Sequence, residues 1–411
     1  MTDRDELAER LTRFYQDVRA EVPAMPPGWR PESRRRPAAL LSAGASVALV
    51  MLAVSVAIAI RTVREDVHHG PPAPASHAGT VAGPLVRDLG SFAGGGAWVL
   101  NGTGLYRTDD WGAHWQTVSP SVPNPGAALL AATFTDSRHG WAAAAVPEGN
   151  LRVTVYRTAD GGRTWTTSLV PATFSDGFGE SHLSFSDAAH GWLVVDLPHG
   201  GAAGMAAVFA TADGGGSWTR LANAPTVSGV RFQGLSAGWG VDVAGRLYRT
   251  TDGGRTWEDA PLPVPVDLPA FFGSEGVALG SGPSGLVVMV SHDSGSTWSA
   301  RPGPAGIDAS HYGSPLMIPF AVINPRQWVI FPGPAFYQSA DAGGTWQALR
   351  PNRGWPVAAA ALFTSPSDGW IVVTQGTCQG VKSDCVQESM LLATHDGGHT
   401  LSQVTAPGTA G

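Results

Sequence analysis

The 411-residue chain is predicted to be an all-β protein, a seven-bladed β-propeller of four-stranded antiparallel blades, preceded by one transmembrane α-helix. Three observations predict it. A phrase of the form Ser/Thr-x-Asp-x-Gly-x-x-Trp returns as TDDWGAHW, TADGGRTW, TADGGGSW, TTDGGRTW, SHDSGSTW, SADAGGTW and, with Leu for Trp, THDGGHTL. These phrases are centred on Asp110, Asp160, Asp213, Asp252, Asp293, Asp341 and Asp396. Their spacing of 39 to 55 residues is the period of solenoids, propellers and arrays. A second phrase precedes most of them: FTDSRHGW ending at Trp141, FSDAAHGW at Trp192, FQGLSAGWG around Trp239 and FTSPSDGW at Trp370, with weaker versions at Trp98 and Trp328. The fifth unit has only Phe272 to Val277 and lacks the Trp. Finally, Ala38 to Ile60 is a run of 23 residues without a charge.

Together the two phrases divide each unit into four short strands: one ending at the Phe, one starting at the Gly-Trp, one entering the aspartate phrase and one leaving it. Four-stranded sheets repeated radially make a propeller. The aspartate at the head of a turn is expected to accept bonds from backbone amides two or three residues on, and the following Gly supplies positive φ without steric cost. Twelve of the fifteen tryptophans fall in the two registers, which marks them as inter-blade core. With 53 Gly, 32 Pro and 14% charged residues, the composition suits an all-β chain of many tight turns.

The seven phrases resemble the BNR or Asp-box repeat of the sialidase superfamily fold. The paired units F-x-D-x-x-H-G-W and T-x-D-G-G-x-T-W are similar to those of photosystem II assembly and stability factors, over roughly residues 85–408. The resemblance implies that the seven aspartates are structural hairpin turns remote from any active site. It also implies a non-catalytic role, holding a membrane-protein partner during assembly. Sialidases carry the same boxes together with a Tyr nucleophile and its Glu partner, an Asp acid/base and three arginines, the first in an Arg-Ile-Pro motif. That motif does not occur here. Tyr106, Tyr156, Tyr248 and Tyr337 share one strand register with Arg107, Arg157 and Arg249 after the first three, so repetition assigns them to the blades. Tyr15 lies in the N-terminal tail, which leaves Tyr312 outside the pattern. A glycosidase of another family needs only two carboxyls roughly 5 to 9.5 Å apart. A cell-surface sialidase-like glycoside hydrolase is therefore the alternative to a binding or assembly module for a protein or cell-envelope partner.

The apolar run at 38–60 is long enough to cross a bilayer as a helix. A cleaved signal peptide competes with an uncleaved anchor, and the long leader ahead of the run favours the anchor. Arg30, Arg34, Arg35 and Arg36 before it outnumber Arg61 and Arg64 after it, which places the N-terminus in the cytoplasm and the propeller outside, on a bacterial cell membrane. Residues 1–37 form a cytoplasmic tail in which Leu7, Leu11, Phe14, Val18 and Val22 predict a short amphipathic helix; as an output element it would make the chain a transmembrane sensor. Residues 61–84 are a Pro/Ala/Gly linker whose His68, His69 and His77 read as solvated rather than metal-binding. Residues 1–64 carry a net charge of +3, leaving −10 for the remainder, an acidic balance that argues against nucleic acid as partner. Neither a metal site nor a cofactor is expected.

Cys378 and Cys385 are the only cysteines; outside the cytoplasm, six residues apart, they are expected to form a disulfide. In an antiparallel meander both repeated phrases fall on one face. The irregular segments Pro171 to His182, Leu197 to Ala207, Pro302 to Pro319, Arg350 to Pro356 and Gln375 to Ser389 fall on the other, where ligands are expected. Asp176, Glu180, His182, Asp308, His311, Tyr312 and Trp355 are the candidate ligand-face residues there.

Overall fold

The computed structural model describes residues 83–92, 96–123, 127–145, 151–174, 181–197, 205–282, 285–307, 318–332, 336–350, 358–378 and 385–408. Of the chain's two compact units, residues 1–48 and 49–411, only the second contains described residues. The tail, the apolar run at 38–60 and the linker up to residue 82 lie outside them, and among the described residues no helix is long and apolar enough to cross a membrane.

Described strands from Val86 to Val404 form seven sheets of four, each an antiparallel meander in chain order. Blade 1 comprises Val86–Phe92, Gly96–Asn101, Gly104–Thr108 and Gln116–Thr117; blades 2 to 7 open at Ala128, Ser181, Gly229, Ala270, Phe320 and Ala358. First strands of blades 1 to 4, and of blades 6, 7 and 1, lie against one another in succession, so the first strands line the axis. Second strands such as Gly96–Asn101 and Gly140–Ala145 are buried along their whole length. They are sandwiched by neighbouring blades on both faces, which is why they read as continuous apolar runs rather than alternating ones. Fourth strands are short and exposed, as at Gln116–Thr117 and Thr219–Arg220.

Steric need ties the Phe to the Gly-Trp. Gly140, Gly191 and Gly276 each lie under the ring of Phe134, Phe185 or Phe271 on the paired strand, where an added Cβ would collide with the ring. In blades 3 to 5 that Phe also stacks on the Trp of the preceding blade. Ring centroids of Trp141–Phe185, Trp192–Phe232 and Trp239–Phe271 are 3.6, 3.5 and 3.6 Å apart and nearly parallel. The Trp141 indole further donates to the carbonyl of Gly214, in the next blade's aspartate turn, at 2.8 Å. Arg157 extends the same stitch by donating to the carbonyl of Asp213 at 2.9 Å.

The aspartate turns differ from expectation in one respect. Each carboxylate accepts the amide four residues on, as Asp160 does from Thr164 at 2.9 Å and Asp252 from Thr256 at 2.9 Å. The turn needs that reach because both residues after the aspartate are left-handed: φ is 76° and 91° at Gly161 and Gly162. The buried Ser/Thr two residues before the aspartate completes the knot. Thr250 Oγ1 accepts the Gly254 amide and donates to Asp252, both at 2.9 Å. In six blades the amide just after the aspartate also donates to a carbonyl in the first-to-second-strand turn of the same blade, for example Gly161 to Arg138 and Gly214 to Ala189. This bond couples the two sequence phrases. The tryptophan registers are also unequal: Trp141, Trp239, Trp328 and Trp370 are fully buried, whereas Trp115, Trp165, Trp257, Trp298 and Trp346 are half-buried.

Because every blade is contiguous in sequence, the ring closes without a shared strand, and both ends of the propeller cross the seam between blades 7 and 1. Gly83 pairs with Ser389 through two backbone bonds, and the Val86 amide donates to Ser389 Oγ at 2.9 Å. In the other direction, the carbonyls of Thr405 and Pro407 accept from Trp115 Nε1 at 3.0 Å and Asn101 Nδ2 at 2.9 Å. Trp111 stacks on Trp370 across this seam at 5.5 Å.

Candidate functional site

The first strands of blades 4 to 7 line an open axial cavity of 640 Å³. Apolar side chains in its wall include Phe320 and Val322 from blade 6 and Leu362 from blade 7. Two charged residues break that surface, Arg231 and Asp267. Arg231 lies on the first strand of blade 4, Gly229–Gln233. Asp267 precedes the first strand of blade 5, where its amide donates to the Leu279 carbonyl at 2.8 Å.

Backbone groups fix both side chains. Arg231 Nη1 donates to the Pro269 carbonyl at 2.8 Å, and Asp267 Oδ1 accepts the Leu279 amide at 2.6 Å. Arg231 is exposed on the cavity wall; the protein around it lowers its pKa, and the Asp267 carboxylate opposes that shift. Enclosure pushes the half-buried Asp267 up to about 8, against the pull of the Leu279 amide and Arg231. Beside Arg231 stands His182, on the first strand of blade 3, Ser181–Phe185. Its surroundings and the Arg231 charge hold its pKa down to about 4, while a bond to the Val230 carbonyl works the other way. Three ionisable groups therefore converge on one side of the cavity, and of these Arg231 is the one charged at neutral pH. Among the described residues no cluster of three or more His, Cys, Asp or Glu could hold a metal ion.

Of the candidate ligand-face residues, the structure places His182 beside this cavity. Asp176, Glu180, Asp308, His311, Tyr312 and Trp355 lie outside the residues whose side chains are described. Four of the five segments expected to be irregular contain strand residues: Leu197 and residues 205–207 lie in the second and third strands of blade 3, and Pro302 ends the fourth strand of blade 5. Pro171 lies within the strand Thr166–Phe174, and Gln375 to Ser389 contributes to an extended hairpin, Gly369–Cys378 with Cys385–Thr394, in which Cys378 and Cys385 are cross-strand partners. Arg231 and Asp267 lie outside the loop segments in which ligand residues were expected. The signal was a charge that breaks the repeat: one residue before the inter-blade Phe, where blade 4 has Arg231, blades 2, 3 and 5 have Thr133, Ser184 and Ala270.

No family model matches the chain, and no curated protein matches it either. Solved propellers are similar to it. "YCF48 bound to D1 peptide" is 19% identical with a TM-score of 0.46, the match covering 69% of this chain and 86% of that one. YCF48 from Cyanidioschyzon merolae is 17% identical with a TM-score of 0.46, covering 70% and 87%. An ancestral GH74 enzyme is 14% identical with a TM-score of 0.48, covering 80% and 55%. The chain is a seven-bladed β-propeller on the strength of its own seven sheets.

Proposed function

We propose that this chain is a membrane-anchored, extracytoplasmic propeller that binds a protein or cell-envelope partner without catalysis, through the face on which the axial cavity opens. The observation that carries this reading is the cavity itself. The charges that depart from the repeat, Arg231 and Asp267, converge on it, and the rest of its described lining is mainly apolar, the make-up of a recognition pocket. The described lining contributes one carboxylate, Asp267, where a glycosidase works with two. Anchoring rests on the uncharged run at 38–60, and outward orientation on the arginines before it.

The test uses the full-length chain purified in detergent after crosslinking in intact cells. A specific envelope partner is expected to co-purify, with no turnover of a panel of aryl glycosides and sialosides. Turnover that Asp267→Asn abolishes would replace this reading with the hydrolase.

A further inference from the structure

We propose that the axial cavity binds a small zwitterion, an α-amino acid with an apolar side chain, its carboxylate on Arg231, its ammonium on Asp267 and its side chain against the apolar wall of blades 6 and 7. The proposal rests on the cavity being a binding site, as argued above, and names what occupies it.

Three features carry it. Arg231 and Asp267 lie near enough for each charge to act on the other, yet each is held by a backbone group rather than by its neighbour. The backbone bonds that hold the two side chains engage Arg231 Nη1 and Asp267 Oδ1, and both side chains line the cavity. A donor set and an acceptor set lining one cavity, each held by its own backbone bond, suit a ligand that carries the opposite pair, as an α-carboxylate and α-ammonium do. A guanidinium is the side chain best shaped for a carboxylate.

The second feature is the asymmetry of the wall. Ile318, Phe320, Val322 and Leu362 form an apolar surface on the blades away from the charged pair. An aliphatic or aromatic side chain projecting from the same Cα would be desolvated there. The third is electrostatic balance. A carboxylate alone would leave Asp267 without a partner and an ammonium alone would leave Arg231 without one, whereas a zwitterion engages both. Asp267, held high by enclosure, ionises when an ammonium arrives.

The experiment is titration calorimetry on the full-length chain in detergent, with L-leucine, N-acetyl-L-leucine and L-leucine amide as probes. Leucine is expected to bind at least tenfold more tightly than either derivative, and both Arg231→Gln and Asp267→Asn should weaken it at least tenfold. Ala359→Trp fills the cavity from an exposed wall position, touches neither charge and should also abolish binding. This variant keeps the test decisive if a charge variant fails to fold. Equal binding of N-acetyl-leucine, or leucine binding that survives Ala359→Trp, overturns the proposal. So does no leucine binding, and if the chain still captures its envelope partner by crosslinking, the binding-module reading stands without the amino acid. Leucine binding with no partner captured has the opposite meaning.

Discussion

Left-handed backbone just after each box aspartate divides the seven turns into two kinds. Gly occupies that position at 161, 214, 253 and 397, whereas Trp111, Ser294 and Ala342 adopt φ of 60°, 57° and 59° there. A side chain in this region costs about 1–2 kcal/mol, of which glycine's extra freedom when unfolded returns up to about 1. Ala342→Gly is therefore expected to stabilise the fold by up to about 1 kcal/mol in urea unfolding. Trp111→Gly should destabilise it, because the strained Trp111 is the residue that stacks on Trp370. Thr250→Val tests the knot itself: the buried Gly254 amide loses its acceptor, and the cost should be about 1–3 kcal/mol. Acid should act on the same turns. Asp110, Asp160, Asp213, Asp252, Asp293 and Asp341 are all held down to about 2, chiefly by the amides and hydroxyls around them. A depressed carboxyl contributes stability that is present above its ordinary value of 3.8 and lost as pH falls through its folded value. Chemical denaturation followed from pH 5 to 2 should show stability falling steeply between about pH 4 and 2. The turn residues were legible in the sequence. The amide partnered by each aspartate was not, because it depends on two successive left-handed residues.

At the level of the blade, the pairing of Phe with Gly-Trp is a packing requirement. Gly191→Ala places a methyl group against Phe185 and disturbs its stack on Trp141; the expected loss is about 1–3 kcal/mol. Blade 5 has Val277 in place of the Trp, so the seam between blades 5 and 6 is filled by Leu279, Val288, Ile330 and Trp328 instead. Strand order and the four-strand unit could be read from the repeat, since each phrase marks a turn. The long hairpin of blade 7 could not, because its Thr-, Gln- and Gly-containing ends carry no repeat mark and are regular only through pairing with each other. The register brings the backbones of Cys378 and Cys385 opposite one another, within the Cα separation of about 4.4–6.8 Å that a disulfide needs. Intact mass of the full-length chain isolated from membranes, measured after alkylation without and then with reduction, should show two thiols only after reduction.

On the scale of the whole molecule, the propeller is a ring whose ends are fastened to each other rather than woven into one blade. Deleting residues 405–411 removes the acceptors for Trp115 and Asn101, and should lower the unfolding midpoint of the whole ring in a single transition. The repeat announces a propeller, but the axial cavity is visible only once seven first strands are arranged around the axis, where departures at Arg231 and Asp267 become neighbours. The central claim is that the partner meets the protein at this cavity and not at the tight-turn face. Site-specific photocrosslinking in intact cells tests it directly, with a photoreactive residue placed at Leu268 in the cavity wall or at the exposed Leu235 in a tight turn. The account predicts a discrete adduct from position 268, lost in the Arg231→Gln background, and none from position 235; an adduct from 235 alone would contradict it.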